Sequence, residues 1–131
     1  MRWGYNNQPI KEKDQWKAAF KTKRGLFKPM VMFFRLCNSP TTFQGFMDNT
    51  FYPEIDSGDY GIYMDDVLVA TNGTLKEHIK KVHHILDRMC ENDLFLKPLK
   101  CTFHKREIEY LGVTAKTATR LDDSVSYLMR K

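Results

Sequence analysis

The residues of this chain that could do chemistry are two adjacent carboxylates, Asp65 and Asp66. They stand between two short apolar runs, 61–63 and 67–70, whose length and β-branched content predict strands. Like charges at a tight bend repel each other unless a cation neutralises them, and carboxylate oxygens are ligands that Mg²⁺ and Mn²⁺ favour. The pattern predicts a hairpin with a divalent cation at its tip, of the kind used in phosphate chemistry. A solvated turn is the alternative, because Asp is a common turn residue.

Two further elements would position this hairpin on its N-terminal side. Residues 14–34 are rich in aromatic and β-branched side chains and predict two strands that turn at 23–25. Ser39 and Pro40 then predict a helix start, with Ser39 as N-cap and Pro40 in the first helical position. This helix would carry an apolar face and end before Pro53.

The sequence after the hairpin contains the clearest helical period in the chain, over 74–92. Thr74 and Glu77 form a capping box at its start. Short apolar stretches at 94–96 and 107–111 predict two more strands. The expected fold class is therefore α+β, an antiparallel sheet with helices packed on one face.

Size and composition are those of one globular domain. The chain has 131 residues, of which 42% are hydrophobic, and 21 Lys and Arg against 16 Asp and Glu give a net charge of +5. This mild excess of positive charge favours a polyanionic partner. The three cysteines show no metal-binding spacing, which predicts reduced thiols inside a cell. No apolar run approaches the roughly 20 residues of a membrane helix, so no membrane partner is expected.

The order of motifs along the chain is more specific than any one of them. In sequence they are Gly4-Tyr5-Asn6-Asn7, Trp16-Lys17-Ala18-Ala19-Phe20, Gly25-Leu26-Phe27, Met32-Phe33-Phe34, Leu36-Cys37-Asn38-Ser39-Pro40, Phe43-Gln44, Tyr63-Met64-Asp65-Asp66, Leu94-Phe95-Leu96-Lys97-Pro98, Lys100-Cys101-Thr102-Phe103 and Tyr110-Leu111-Gly112. This series resembles the palm of the reverse transcriptase of gypsy-type long-terminal-repeat retrotransposons. The resemblance covers residues 1–112, and residues 113–131 are expected to be a divergent, weakly packed tail. It implies a palm-like sheet with incomplete fingers and no thumb.

The resemblance also implies an activity and a set of catalytic residues. Members of this family are RNA-directed DNA polymerases, in which two divalent ions, Mg²⁺ or Mn²⁺, act at a primer 3′-hydroxyl. Asp65 and Asp66 match the metal ligands of the hairpin, with Asp65 the stronger. Lys100 matches a basic residue near the leaving pyrophosphate, where it could act as general acid. A surface lysine is the alternative at that position.

Further positions match the binding surfaces for the family's substrates, a template-primer of RNA or DNA and deoxynucleoside triphosphates. Tyr5 corresponds to the bulky residue that blocks a ribose 2′-hydroxyl, a steric selection against ribonucleotides, and a core aromatic residue is the alternative. The other nucleotide-binding positions are Phe34 and Arg35. The template- and primer-binding positions are Asn38, Ser39, Pro40, Gln44, Tyr63, Met64, Tyr110, Leu111 and Gly112.

Three departures from the family pattern change the expected activity. The third metal-binding aspartate of the family lies five residues before the tyrosine matched by Tyr5, and that count gives position 0, one residue before Met1. Arg35 stands where the family has glycine, and the similarity fades after Gly112. Because catalytic residues act as a unit, the chain is expected to be inactive or impaired in polymerisation.

The missing residues also lead to expectations about assembly. Loss of the first part of a central strand would leave an edge or a gap in the sheet, and unpaired edges favour dimers or aggregation. A non-enzymatic remnant that binds nucleic acid or associates with itself is therefore the alternative function. The expected location is intracellular, in the cytoplasmic particles of the parent element.

Overall fold

The structure, a computed structural model, describes residues 4–105, 107–116 and 124–127, which contain both helices and strands. The helices are α1 (Ser39–Thr50), α2 (Tyr52–Asp56) and α3 (Leu75–Glu91). The strands are β1 (Phe20–Thr22), β2 (Gly25–Phe27), β3 (Tyr60–Tyr63), β4 (Asp66–Thr71), β5 (Thr102–Lys105), β6 (Glu107–Tyr110), β7 (Val113–Lys116) and β8 (Ser124–Tyr127). Short 3₁₀ helices span Gly4–Asn7, Glu12–Ala18 and Pro98–Lys100. In these ranges no helix combines the length and the apolar character that a bilayer crossing needs.

A four-stranded antiparallel sheet lies at the centre, in the order β3-β4-β8-β5. β3 and β4 are the predicted hairpin, with Tyr63 opposite Asp66. On its other side β4 pairs with β8, with Leu68 opposite Tyr127. The segment predicted as a weakly packed tail, 113–131, thus forms two strands in its described parts, β7 and β8. Of these, β8 lies inside the sheet, between β4 and β5. The predicted dimer is not supported, because β8 pairs with β4 on the side away from β3 and leaves β4 without an open edge in the described sheet.

Helices cover one face of this sheet, as the sequence predicted. In β4 the buried residues alternate with half-buried ones, so that Val67, Val69 and Thr71 point to one side. The main core joins β3 and β4 to α1 and α3 through Phe43, Met47, Phe51, Tyr60, Ile62, Val67, Val69, Val82, Ile85 and Met89. On the opposite face of the hairpin, Leu68 and Tyr110 pack against Ile108 of β6. The β3–β4 hairpin is therefore held between the helices and the β6–β7 hairpin.

α3 confirms the predicted helix and its capping box. The Thr74 side chain accepts a hydrogen bond from the Glu77 backbone N–H, and the Glu77 carboxylate accepts one from the Thr74 N–H. Its buried residues, His78, Val82, Ile85 and Met89, recur at the three- and four-residue spacing that the sequence shows.

The predicted strand over 94–96 is wrong, because this segment completes the end of α3. Asp93 has a positive φ of 56°, and its N–H donates to the Cys90 carbonyl. The Leu94 N–H donates to the Met89 carbonyl at 2.9 Å, which completes a Schellman motif. Leu94 is fully buried beside Met89 in the main core, and this burial fixes the segment as a helix cap.

The N-terminal segment also differs from its prediction. Residues 12–18 form a 3₁₀ helix, and the two strands predicted over 14–34 shrink to the short β1–β2 hairpin. Residues 28–34 contain only an isolated bridge between Val31 and Pro9. Ser39 is the first residue of α1, and Asn38 takes the N-cap position that was predicted for Ser39.

A buried carboxylate, Glu54 of α2, joins the helices behind the hairpin. Its Oε1 lies 3.0 Å from Arg88 Nε and 3.0 Å from His84 Nε2, and the same guanidinium donates to the Thr50 carbonyl at 2.8 Å. Burial opposes ionisation of Glu54, but hydrogen bonds from its own backbone, from Arg88 and from His84 outweigh it and lower the pKa of this carboxyl. The network fixes α2 against α3, and β3 follows α2 directly in the chain.

Glu54→Gln is expected to lower the free energy of unfolding at pH 7 by about 1–3 kcal/mol, because it leaves the partly buried Arg88 without its main partner. The folded pKa of Glu54 lies below the ordinary glutamate value of 4.5, so the stabilisation is complete above that pH. It is lost as the pH falls through the folded pKa. Urea unfolding of both proteins from pH 7 to pH 3 should show the difference shrinking at the acid end.

The matched control for this prediction is Glu91→Gln. Glu91 also accepts from Arg88, at 3.1 Å, but its side chain is 62% exposed, and exposed ion pairs stabilise by about 1 kcal/mol at most. The assigned role of Glu54 would be contradicted if Glu91→Gln lowered the free energy of unfolding as much as Glu54→Gln does. It would also be contradicted if the loss caused by Glu54→Gln did not change with pH.

Candidate active site

The two carboxylates lie at a tight two-residue turn. Since Tyr63 pairs with Asp66, the turn itself consists of Met64 and Asp65, and Asp66 begins β4. Met64 has a φ of 51°, a left-handed conformation that glycine usually occupies in hairpin turns. Both carboxylates are half-buried. The predicted hairpin is confirmed, with Asp65 in the turn and Asp66 in the strand that follows.

Gln44 of α1 fixes this turn to the helix layer. Its Oε1 accepts a hydrogen bond of 2.6 Å from the Met64 backbone N–H. Its Nε2 donates to Asp48 Oδ1 at 2.7 Å and to the Ile62 carbonyl at 3.4 Å. The Gln44 amide therefore bonds to the backbone carbonyl before Tyr63 and to the backbone N–H after it. The sequence predicted a template contact for Gln44, and it did not indicate that this side chain positions the carboxylates.

Tyr110 of β6 covers the other side of the hairpin. A β carbon at Gly61 would lie 3.4 Å from the Tyr110 hydroxyl, in ordinary van der Waals contact, so the ring lies directly beside the Gly61 backbone. Burial, and to a smaller degree the charge of Asp66, raise the pKa of Tyr110 to about 12. The hydroxyl therefore keeps its proton at neutral pH, and a neutral group faces the Asp66 side of the hairpin.

An aromatic cluster brings Tyr5 to the same region. Its ring makes edge contacts with Phe34 at 5.0 Å and with Phe43 at 5.2 Å, measured between ring centroids. Phe43 is buried in α1 one residue before Gln44, whereas Phe34 is exposed. The cluster connects the Gly4–Asn7 turn, the loop before α1 and the helix that holds the hairpin.

Arg35 lies in the loop before α1 with a φ of 77°. This is the left-handed region in which glycine is free of strain and other residues are not. The Arg35 side chain is exposed. The loop therefore keeps a backbone conformation suited to the family's glycine, although this chain has an arginine there.

Asn38, Ser39 and Pro40 form the start of α1, where they were predicted to meet template or nucleotide. The Ser39 hydroxyl donates to the Phe33 carbonyl at 3.2 Å, which ties the loop to the helix. Asn38 makes no side-chain capping bond. Asn38 and Ser39 line an open cavity of about 470 Å³ that Lys11 bounds on its other side.

Other predicted residues lie farther from the carboxylates. Lys100 is exposed in the 3₁₀ turn before β5. Thr102 of β5 pairs with Tyr127 of β8, and Tyr127 pairs with Leu68 of β4. The 3₁₀ turn before Thr102 therefore lies at the same end of the sheet as Asp65, which comes just before β4. β8 nevertheless lies between β4 and β5, so these two strands are roughly 10 Å apart, which is twice the spacing of neighbouring strands.

Leu111 and Gly112 form the two-residue turn between β6 and β7, with φ of 50° and 80°. The predicted turn is therefore present directly after Tyr110. Tyr63 is exposed at the end of β3, and Met64 packs against the main core.

The donor chemistry of the hairpin fits a hard divalent cation. Mg²⁺ in phosphate-transfer sites is usually held by one or two carboxylates, with water and substrate phosphates as its remaining ligands, and Asp65 with Asp66 supplies such a pair. Among the residues placed by the structure, no cluster of three or more metal-binding side chains occurs. The hairpin alone therefore supplies a partial ligand set.

Comparison with known proteins assigns the chain to a family. Residues 1–115 match the reverse transcriptase (RNA-dependent DNA polymerase) family model. The Transposon Tf2-3, Tf2-4 and Tf2-7 polyproteins of Schizosaccharomyces pombe (strain 972 / ATCC 24843) are each 26% identical over 132 residues, which cover 99% of this chain. The chain spans about a tenth of the length of these relatives, 10% of each. Because the family model covers most of its length, this chain belongs to the reverse transcriptase family.

Proposed function

We propose that this chain is the palm part of a retrotransposon RNA-directed DNA polymerase, with Asp65 and Asp66 as its metal-binding carboxylates. The observation that carries the proposal is the position of this pair at a turn that Gln44 holds from one side and Tyr110 covers from the other. A carboxylate pair in a solvated surface turn would need neither support. The family membership supports the same assignment.

The residues around the hairpin have separate roles in this proposal. Asp65 and Asp66 would hold Mg²⁺ or Mn²⁺, and such ions, when bound, neutralise phosphate charge and activate a primer hydroxyl. Tyr5, supported by Phe43, would restrict the space at the sugar of an incoming deoxynucleotide, and Phe34 would form the adjacent wall.

The remaining predicted residues would bind the nucleic acid or assist the leaving group. Tyr63 and Met64 would contact the primer end, and residues 38–40 together with Gln44 the template. The turn at 110–112 would hold the primer backbone. Lys100 would donate a proton to the leaving pyrophosphate, and Arg35 would approach the nucleotide from its exposed position.

This 131-residue chain alone is proposed to be impaired in polymerisation. Two carboxylates from one hairpin form an incomplete ligand set for a pair of metal ions, since two-metal sites clamp both the attacking and the leaving oxygen. Residues 1–112 would constitute the palm, and 113–131 a divergent extension.

A non-enzymatic nucleic-acid-binding module is the second candidate. The specific observation in its favour is the distribution of charge, because residues 15–47 contain six Lys and Arg and no Asp or Glu. Binding without catalysis would be strongly salt-dependent and tolerant of sequence.

Extension of a labelled DNA primer on an RNA template, with Mg²⁺ or Mn²⁺ and with EDTA as control, tests the two candidates. Weak extension that EDTA abolishes supports the palm assignment and the impairment. Template-primer binding without extension in either metal supports the binding module. Extension that persists in EDTA would overturn the proposed role of the hairpin, and rapid processive extension would overturn the impairment.

A further inference from the structure

The β1–β2 hairpin extends from the protein with an exposed pair of aromatic rings. Phe20 and Phe27 are directly paired across the two strands, and their rings lie nearly parallel with centroids 6.1 Å apart. Every residue of both strands is exposed, and these two rings are 50% and 46% exposed. Apolar rings usually lie inside a protein, so a pair displayed on a two-stranded hairpin marks a contact surface.

The same hairpin concentrates positive charge. Lys21, Lys23, Arg24 and Lys28 all fall within residues 20–28, in a segment, 15–47, that has six basic residues and no acidic one. The formal charge of the whole chain is +5, so the residues outside 15–47 carry a net charge of −1. Within the parts of the chain that the structure describes, these four side chains take part in none of the ion pairs. They are therefore available to a polyanion.

The hairpin gives the rings and the charges a common support. The turn holds Lys23 and Arg24 between the paired residues Thr22 and Gly25. The Thr22 hydroxyl accepts from the Arg24 N–H at 3.1 Å and donates to the Gly25 carbonyl at 3.2 Å. Gly25 has a φ of 123°, which needs a glycine. Hydrogen bonds within the turn thus hold the basic tip in place, and two residues separate it from each ring along the chain.

We propose that this hairpin binds single-stranded nucleic acid, with bases stacked on Phe20 and Phe27 and phosphates held by the basic residues of the tip. An aromatic platform beside a cationic track is the combination by which proteins hold single strands without reading sequence. In a duplex the base faces are already stacked on one another, so the rings select the unpaired strand. The surface would serve the unpaired part of a template, in addition to the site at Asp65 and Asp66.

Fluorescence anisotropy with labelled oligo(dT) and oligo(U) 15-mers tests this surface. The double variant Phe20→Leu/Phe27→Leu keeps apolar side chains but removes both rings, and we expect it to raise Kd by about tenfold or more, since base–aromatic stacking is worth about 1–3 kcal/mol per base. Leu26→Ala is the matched control, because Leu26 is 73% exposed on the same hairpin and pairs with Lys21 on the opposite face. It should change Kd by less than about twofold.

Salt dependence tests the electrostatic half of the proposal. The logarithm of the association constant for a single strand falls linearly as the logarithm of the salt concentration rises, with a slope of about −0.7 per neutralised phosphate. Lys23→Gln removes one positive charge and should therefore make this slope shallower by about that amount. All titrations are done in EDTA, so that failure of the metal-dependent reaction has no effect on the result. The folds of all variants are checked by circular dichroism.

Three results would overturn the proposal. In the first, the double Phe variant binds as well as the parent protein. In the second, Leu26→Ala weakens binding as much as the double variant does. In the third, a 15-base-pair duplex competes as effectively as the single strand. Concentration-dependent dimers that the double Phe variant abolishes, without nucleic-acid binding by the parent, would instead assign the surface to a second copy of the chain.

Discussion

Asp65→Asn is expected to lower the weak metal-dependent primer extension of this chain to the level measured in EDTA, because it removes the charge of one of the two carboxylates that would hold the metal. Asp65 lies in the two-residue turn itself and is only half-buried, so solvent and a metal-bound substrate have access to this end of the hairpin. Asparagine keeps the size of the side chain and removes its charge. Single-nucleotide incorporation in Mn²⁺, followed over hours, measures the rates of the parent and of the variant.

The matched control for this substitution is Asp87→Asn, which makes the same chemical change at an exposed position of α3. It should leave extension unchanged. Mn²⁺ binding, measured by the paramagnetic broadening of the backbone amide signals of Met64 and Asp65, gives a second readout that does not depend on turnover. Unchanged broadening in Asp65→Asn would refute the assigned metal ligand, whatever the activity.

Gln44→Ala is expected to lower extension by about a hundredfold, since small displacements of catalytic groups have effects of that size. It removes the acceptor of the 2.6 Å hydrogen bond from the Met64 N–H, in a turn whose φ of 51° is strained for methionine. The part-buried Met64 N–H would lose its partner, which should also reduce the free energy of unfolding by about 1–3 kcal/mol. Primer extension and urea unfolding of the same preparations measure both effects.

Asp48→Asn is the control for the Gln44 prediction. Asp48 is exposed and accepts a hydrogen bond from the other end of the same amide, at 2.7 Å, and asparagine keeps an oxygen acceptor. Extension should remain within a few-fold of the parent. A Gln44→Ala protein that binds Mn²⁺ and extends primers like the parent would mean that the strand pairing of β3 and β4 positions the carboxylates without help from α1.

Local sequence determined the elements whose hydrogen bonds are local. The β3–β4 hairpin was predicted from two apolar runs around an acidic turn. α3 was predicted from its period and from the Thr74–Glu77 capping box, and both predictions are confirmed. The order of motifs also identified the family correctly. For the hairpin and the helix, the decisive contacts lie within a few residues along the chain.

Long-range packing decided the rest of the fold. The apolar stretch at 94–96 has strand composition, yet Leu94 is fully buried as part of the α3 cap. β8 has only a sparse apolar pattern, but it pairs with β4 and β5 in the sheet interior. The pairing of β8 with strands far away in the sequence depends on its neighbours in the fold more than on its own residue types. Its position between β4 and β5 could therefore not be predicted from the sequence.

The candidate site shows the same division. Residue types and spacing alone identified Asp65 and Asp66 as a carboxylate pair on a hairpin. Only the tertiary structure assigned Gln44, twenty positions before Met64, to hold the turn, and Tyr110 to pack beside Gly61. A side chain's type shows which hydrogen bonds it can make, whereas its partner depends on which elements the folded core brings within 3 Å.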